Sequence, residues 1–113
     1  MIKLICFIKR KPGMSIDDFH EYWRNGHGPL VASTKSGQHA LRYEQNHRAR
    51  SDYERDPDGF DGCTEQWFTS VEDFWASVQE DDYKLIDEDM PKFMDTDNIV
   101  FILTEEPEVI VGD

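Results

Sequence analysis

The chain has 113 residues, of which 38% are hydrophobic, with three Trp, four Tyr and seven Phe. This length and composition predict one globular domain with a packed core and exclude a disordered chain. Twenty-four acidic against twelve basic residues give a net charge of −12, which repels phosphate backbones and anionic lipid, so neither nucleic acid nor a membrane surface is an expected partner.

The first 29 residues predict a strand followed by a helix. Residues 2–9 are rich in β-branched and aromatic side chains, and the run stops at the turn signal Pro12-Gly13. A helix is expected to begin at Ser15, whose side chain caps it in a Ser-x-x-Asp arrangement. Asn25-Gly26 is a typical helix end, and the helix is therefore predicted to stop there.

The remaining elements follow the same patterns. Residues 40–47 alternate as a half-buried strand does, and residues 48–62 are polar and predict a long loop. A third strand is expected over residues 63–69, helical segments from residue 70 and over residues 81–93, and a last strand over residues 98–104. SIDDF at 15–19 recurs as SVEDF at 70–74, each after a strand. The order β-α-β-β-α-β predicts an α+β, ferredoxin-like fold with a four-stranded antiparallel sheet.

Such a sheet has helices on one face and leaves the other face uncovered. Both faces of the predicted strands carry large side chains, Tyr43 and Trp67 among them. Two sheets that pair face to face would bury this surface and leave an apolar chamber between them. We therefore expect a homodimer with a ligand chamber between its sheets.

Location and redox state follow from the N-terminus and the cysteines. The short apolar run in MIKLICFIKRKPG lacks a small-residue cleavage site, and no segment approaches the ~18 to 20 apolar residues of a membrane span. A cytoplasmic protein is the expectation. Cys6 and Cys63 lack the spacing of a disulfide framework or metal site and are predicted to be buried free thiols.

His27 is the first candidate for chemistry. It lies between Gly26 and Gly28-Pro29, where glycines allow unusual backbone angles and proline restrains the next turn. An imidazole held just beyond a helix C-terminus favours its protonated form because of the helix dipole. The pattern is typical of an acid/base residue or an oxyanion donor, and equally of a histidine that closes a corner by donating to a carbonyl.

Two strands supply further candidates. Glu65 and Trp67 share one face of the third strand, where an indole beside a carboxylate predicts a raised pKa; the alternative is a surface glutamate paired with Arg42 or Arg48. Tyr43 and His47 share a face of the second strand. With Trp67 they predict an aromatic wall for a flat apolar or phenolic ligand, or else ordinary core or dimer interface.

Other reaction types lack their motifs. His20-Glu21 begins like the zinc motif H-E-x-x-H, but Arg24 occupies the fifth position, and no metal site is predicted. Neither G-x-S-x-G nor a glycine-rich phosphate loop is present.

The run FHEYWRNGHGPLV at 19–31, preceded by KRKPGMS at 9–15, resembles the signature of the EthD family. GCTEQWF at 62–68 and DEDMPKFMD at 87–95 resemble its later blocks, so the resemblance covers nearly the whole chain as one EthD-like domain, residues 1–113. It implies a dimeric α+β barrel of ferredoxin-like subunits. Within the matching motifs it marks Tyr22, Trp23 and His27, and then Glu65 and Trp67, whereas His20 is outside the pattern.

The resemblance implies several functions. EthD-like proteins are similar to accessory proteins of ether-degrading oxidation systems and to fungal dehydratases and tailoring proteins of aromatic polyketide pathways. The wider superfamily includes cofactor-free monooxygenases, cyclases and haem-degrading enzymes. We expect a small-molecule enzyme for an aromatic or apolar metabolite, an oxidoreductase or a dehydratase/cyclase, that acts by cofactor-free acid/base chemistry in catabolism or polyketide tailoring. The alternatives are a non-catalytic accessory protein of an oxidative degradation system and a haem-binding or haem-degrading protein.

Residue roles follow from this expectation. His27 and Glu65 are the predicted catalytic residues. Substrate-binding residues are predicted to be Tyr22, Trp23, Tyr43, His47 and Trp67.

Overall fold

The computed structural model describes residues 1–112; Asp113, the last residue of the predicted domain, lies outside the described residues. The strands and helices follow one another in the predicted order β-α-β-β-α-β, with additional short helices. The strands are β1 (Ile2–Ile8), β2 (Arg42–His47), β3 (Gly62–Phe68) and β4 (Val100–Thr104), and the helices are α1 (Ile16–Tyr22), α2 (Gly28–Ser33), α3 (Lys35–Gln38), α4 (Val71–Ser77) and α5 (Tyr83–Asp89). Single 3₁₀ turns lie at Arg50–Glu54, Met90–Lys92 and Thr96–Asn98.

The four strands form one antiparallel sheet in the order β2-β3-β1-β4, which is the ferredoxin-like arrangement. Ile8 in β1 and Phe68 in β3 lie on the face that the helices cover, and both are buried. The opposite, open face carries Phe7, Val100 and Ile102, which are 42%, 52% and 56% exposed. The predicted fold is confirmed, including its uncovered sheet face.

The two predicted helix caps are present and alike. The Ser15 hydroxyl accepts a hydrogen bond from the Asp18 backbone N–H at 3.0 Å, and the Ser70 hydroxyl accepts one from Asp73 at the same distance. Each cap satisfies a backbone donor that has no partner within the helix. The repeated Ser-x-x-Asp pattern therefore marks the starts of both main helices.

The predicted helix end at Asn25-Gly26 is wrong. Helix α1 continues into a π-helical turn, Trp23–His27, and then directly into α2, with the Gly28 N–H donating to the Trp23 carbonyl. Pro29 has no N–H to continue the ordinary ladder, and a widened turn accommodates that loss. His27 thus lies inside a continuous helical segment, so the prediction that a helix C-terminus protonates it fails.

The glycines beside His27 leave space for neighbouring side chains, and they do not adopt unusual backbone angles. Among residues 1–112 only Gly13 and Gly112 have positive φ. A Cβ atom at Gly28 would lie 2.9 Å from the Gln45 side-chain nitrogen, so only glycine lets Gln45 approach the helix this closely.

Gly37 is expected to be the glycine least tolerant of substitution. A Cβ atom there would lie 1.9 Å from the Val31 carbonyl oxygen, a backbone atom that cannot turn aside. Gly37→Ala should lower the free energy of unfolding by about 3 kcal/mol, measured by urea denaturation. Gly13→Ala is the control, because its site is open and only its φ of 84° is unfavourable, at about 1 kcal/mol. Equal losses in the two variants would contradict the steric argument.

Candidate active site

An apolar cavity of about 550 Å³ lies between the helices and the covered face of the sheet. Helical residues Trp23, His27 and Tyr83 line it on one side, and Cys6 and Tyr43 line it on the strand side. This position differs from the predicted chamber between two sheets, because the cavity is bounded by helix and strand side chains of a single subunit.

The cavity lining carries very little charge. Among the described residues that line it there is no Asp, Glu, Lys or Arg. Burial raises the pKa of the Cys6 thiol to about 11, with a smaller contribution from Cys63, and burial also raises the pKa of Tyr43 and of Tyr83. Since these groups stay protonated at neutral pH, His27 is the lining residue suited to accept a proton.

His27 is 5% exposed and is held by a buried carboxylate. Its Nδ1 atom lies 2.8 Å from Asp89 Oδ2. Burial lowers the pKa of His27, and the hydrogen bond to Asp89 opposes the shift only in part. The imidazole is therefore neutral at pH 7, with Nδ1–H donating to the carboxylate.

The other ring nitrogen of His27 is left with a lone pair. No residue within 1–112 hydrogen-bonds Nε2, and this atom is not among the fully enclosed polar atoms. Because His27 lines the cavity, Nε2 is the atom available to a bound molecule. A neutral imidazole whose Nδ1–H is fixed by a carboxylate has the arrangement of a general base.

Asp89 is itself held by three groups. The Tyr22 hydroxyl donates to its Oδ1 at 2.6 Å, and Lys92 Nζ lies 3.4 Å from the same atom. Although burial alone would raise the pKa of Asp89, the hydrogen bonds from Tyr22 and His27 keep it below its usual value. The same contact with Asp89 raises the pKa of Tyr22 to about 12. Tyr22, predicted to bind substrate, instead positions the carboxylate and does not line the cavity.

Asp89 was missed by sequence reasoning, although a signal exists. Tyr83, Ile86 and Met90 line the cavity and form one face of the last helical segment. Asp89 lies three residues after Ile86 and thus on that same face. Within the acidic run IDED, only this residue is buried, at 4% exposure. A carboxylate on an apolar helix face is the pattern that could have identified it.

A second polar group in the cavity is built around Tyr43. Its oxygen accepts a hydrogen bond from Gln45 Nε2 at 3.1 Å, and Gln45 Nε2 also donates to the Trp23 carbonyl at 2.8 Å. Burial raises the pKa of Tyr43, whereas the nearby donors Gln45 and Trp23 lower it. Trp23 Nε1 is fully buried and forms no hydrogen bond of good geometry among the described residues.

Comparison with known proteins identifies the family of this chain. The EthD domain is matched over residues 11–97. The chain belongs to the EthD family. No curated protein matches this chain.

Solved structures share the fold of this EthD protein at low sequence identity. An EthD family protein from Bacillus halodurans is 20% identical, with a TM-score of 0.69 over 95% of this chain and 99% of the other. An EthD-like protein from Ralstonia eutropha is 22% identical, with a TM-score of 0.62 over 99% and 94%. SnoaB from Streptomyces nogalater, a cofactor-independent oxygenase, is 7% identical, with a TM-score of 0.62 over 96% and 95%.

The predicted aromatic wall of Tyr43, His47 and Trp67 is wrong for this EthD protein. In the sheet register Arg42 lies opposite Trp67, whereas Tyr43 lies opposite Gln66. Directly paired residues point to the same face of a sheet. Tyr43 and His47 are therefore on the covered face, and Trp67 and Glu65 are on the open face.

Glu65 does not have the predicted raised pKa. Its carboxylate accepts hydrogen bonds from Lys3 Nζ at 3.0 Å and Asn46 Nδ2 at 3.1 Å, and chiefly because of Lys3 its pKa lies below the usual value. Trp67 lies beneath Lys3 and Arg42, whose charged groups are 5.3 and 5.8 Å from the ring centre. These contacts resemble the surface ion pair given as the alternative, with Lys3 in place of an arginine.

His47 lies outside the cavity and contacts His20. Their Nδ1 atoms are 2.7 Å apart, and His20 Nε2 is 2.8 Å from the Tyr53 hydroxyl, which donates to the buried Asp61. Burial lowers the pKa of both imidazoles, that of His47 to about 4. His47 Nε2 also contacts Gln45 Oε1 at 2.8 Å, so it supports the cavity wall indirectly.

Three remaining features are the state of the cysteine thiols, the capacity to bind a metal ion and the capacity to span a membrane. Cys6 and Cys63 are free, as predicted, but half-buried and on opposite faces of the sheet. Residues 1–112 contain no cluster of three or more His, Cys, Asp or Glu side chains placed to hold a metal ion. Within the same residues no helix has the length and apolar character needed to cross a bilayer.

Proposed function

We propose that this EthD protein is a small-molecule enzyme that binds an uncharged aromatic or apolar metabolite in the cavity and acts by cofactor-free acid/base chemistry, with His27 as general base. The observation that carries the proposal is the neutral imidazole of His27, a residue that lines an apolar cavity, is fixed by Asp89 through Nδ1 and has no partner at Nε2 within residues 1–112. A general base can start dehydration, cyclisation or oxygenation by removing a proton from carbon or oxygen. The cofactor-independent oxygenase SnoaB, which shares the fold, supports this class of reaction.

Proton exchange of a simple carbon acid tests whether His27 acts as a base. The bicyclic ketone 1-tetralone exchanges its α-protons with deuterated water, and the loss of their NMR signal measures the rate. The protein is expected to accelerate this exchange beyond an equal concentration of imidazole. Failure of 1-tetralone to bind or to exchange, although related uncharged ring compounds bind, would contradict a catalytic His27.

Exchange should depend on pH through His27. Only the neutral imidazole accepts a proton, and burial places the His27 pKa below 6.5. The rate should be independent of pH above about 6.5 and fall as the pH drops through the lowered pKa. A pH series of the exchange rate, from 4.5 to 8 in buffers of constant ionic strength, checks this. A rate that rises as the pH falls would indicate an acid in place of a base.

The second candidate is a non-catalytic accessory protein that carries an apolar metabolite. It is favoured by the almost purely apolar lining of the cavity. It predicts binding of 1-tetralone without faster exchange, in both the wild-type protein and a His27 variant. The same assay therefore separates the two candidates.

We infer that the open sheet face forms a homodimer and that residues 1–113 act as one domain of a dimeric α+β barrel. Phe7, Val100 and Ile102 form an exposed apolar group on that face, where Glu65 and Trp67 also lie. A second copy would bury these side chains. Sedimentation at micromolar concentration should give about twice the 13.3 kDa chain mass, and a species of the chain mass alone would overturn the dimer.

A further inference from the structure

We propose that Tyr43 donates a hydrogen bond to a carbonyl oxygen of the substrate, and that the substrate class is an uncharged cyclic ketone with an acidic α C–H bond. This inference rests on the proposed function, because His27 supplies the base. It assigns a second reacting group and a substrate class to the same cavity.

The orientation of Gln45 is fixed by its neighbours. Its Nε2 atom lies 2.8 Å from the Trp23 carbonyl oxygen, which can only accept. The amide nitrogen must therefore face Trp23, and Oε1 must face His47, at 2.8 Å from Nε2 of that ring. His47 consequently donates to Gln45, and both N–H bonds of the Gln45 amide are directed at Trp23 and Tyr43.

The hydroxyl proton of Tyr43 is left without a protein partner. Its oxygen accepts from Gln45 and lies against the indole N–H of Trp23, so both neighbours are donors. No residue within 1–112 accepts a hydrogen bond from the Tyr43 O–H. Donation into a phenol oxygen strengthens the phenol as a donor, since it stabilises negative charge on that oxygen. The free O–H is thus directed at whatever occupies the cavity.

Trp23 adds no donor to the ligand site. Its Nε1–H has no hydrogen-bond partner of good geometry among the described residues, but the atom is fully enclosed and lies against the Tyr43 oxygen. The free Tyr43 O–H therefore favours a ligand with an oxygen acceptor over a pure hydrocarbon.

The charge of the cavity excludes anionic ligands. A carboxylate or phosphate would lose its hydration without gaining a cationic partner, because neither Lys nor Arg lines the cavity within the described residues and His27 is neutral. A ketone avoids this cost in its resting form. Its charge appears only during the reaction, at the oxygen to which Tyr43 donates.

The proposed step balances without any further reactant. His27 Nε2 takes the α-proton, the C–H electron pair forms a carbon–carbon double bond, and the carbonyl π-electrons move onto oxygen. Tyr43 O–H stabilises the resulting enolate by a shortened hydrogen bond, as donors do in an oxyanion hole. Return of a deuteron from solvent completes the exchange with no change in oxidation state.

The infrared carbonyl band of bound 1-tetralone tests the donor directly, without requiring turnover. A hydrogen bond from Tyr43 should move the band to lower wavenumber in the wild-type protein, and Tyr43→Phe should return it towards its position in an apolar solvent. Tyr83→Phe is the matched control, because Tyr83 lines the same cavity but no described residue donates to its oxygen as Gln45 does to that of Tyr43. A band that responds to Tyr83→Phe and not to Tyr43→Phe would overturn the proposal.

Binding affinities provide the second measurement. Tyr43→Phe should weaken the binding of 1-tetralone by about three- to tenfold and leave the binding of the matching hydrocarbon, tetralin, unchanged. Equal weakening of both ligands would indicate lost packing and contradict the donor role. 1-Naphthoate should bind the wild-type protein more weakly than 1-tetralone, and tighter binding would contradict the uncharged substrate class.

The two proposals fail in different ways. A Tyr43-dependent band shift without faster exchange supports the donor and refutes catalysis by His27. Faster exchange, together with a carbonyl band that Tyr43→Phe does not move, supports His27 as the base and refutes Tyr43 as the donor.

Discussion

His27→Gln is expected to reduce the exchange of 1-tetralone α-protons to the rate in buffer while leaving its binding within a few fold. Glutamine is close in size but its amide nitrogen has no basic lone pair, so the base is removed and the cavity wall stays in place. Loss of general base catalysis should cost about 10²- to 10⁴-fold in rate. The NMR exchange rate and the dissociation constant of 1-tetralone, measured on the same samples, separate the two effects.

His39→Gln is the control for this variant. His39 contacts Asp73 and Glu80 at 2.8 and 2.9 Å and is not part of the cavity. Its replacement should leave exchange unchanged. If His27→Gln retained the wild-type rate, the proposed role of His27 would be excluded.

Asp89→Asn is expected to lower the exchange rate almost as much as His27→Gln, because it changes the tautomer of His27. Tyr22 donates to Oδ1 and the Lys92 ammonium group lies 3.4 Å from it, so an amide at this position should keep its oxygen there and turn its nitrogen towards His27 Nδ1. Nδ1 must then accept, and the ring proton moves to Nε2, where it blocks the base. The rate of exchange should fall by about 10²- to 10⁴-fold with little change in the binding of 1-tetralone.

Nitrogen-15 NMR shows which ring nitrogen of His27 carries the proton. If Asp89 had only a structural role, its replacement would not change this tautomer. The wild-type protein should carry its proton on Nδ1 at pH 7, and the variant should carry it on Nε2. Glu88→Gln, an exposed change of the same kind one residue away, should alter neither the tautomer nor the rate. An unchanged tautomer together with full activity in Asp89→Asn would show that Asp89 does not position the base.

Short-range patterns were sufficient for much of this fold. Strand alternation and the Ser15 and Ser70 caps depend on residues within one turn or one strand, and both are read directly from the chain. His27 stood out because two glycines and a proline around one histidine are unusual. The reason for those glycines was different from the prediction: Gly28 makes room for Gln45, a residue 17 positions away, and no local pattern contains that contact.

The site partners depend on contacts between distant segments. Asp89 is 62 residues from His27, and its burial follows from how α5 packs against α2. The separation of Tyr43 from Trp67 depends on the register of β2 against β3, and a shift of one residue would reverse both faces. Neither property is encoded in the residues next to these side chains.

By itself the sequence determined the element order, the capped helix starts, the EthD signature and the choice of His27 as a candidate, because local hydrogen bonds and side-chain alternation set these features. Only the tertiary structure decided that the cavity lies beneath the helices, that Asp89 contacts His27 Nδ1, and that Gln45 donates to the Tyr43 oxygen. Those properties arise from burial and from hydrogen bonds between segments that meet only after the chain has folded.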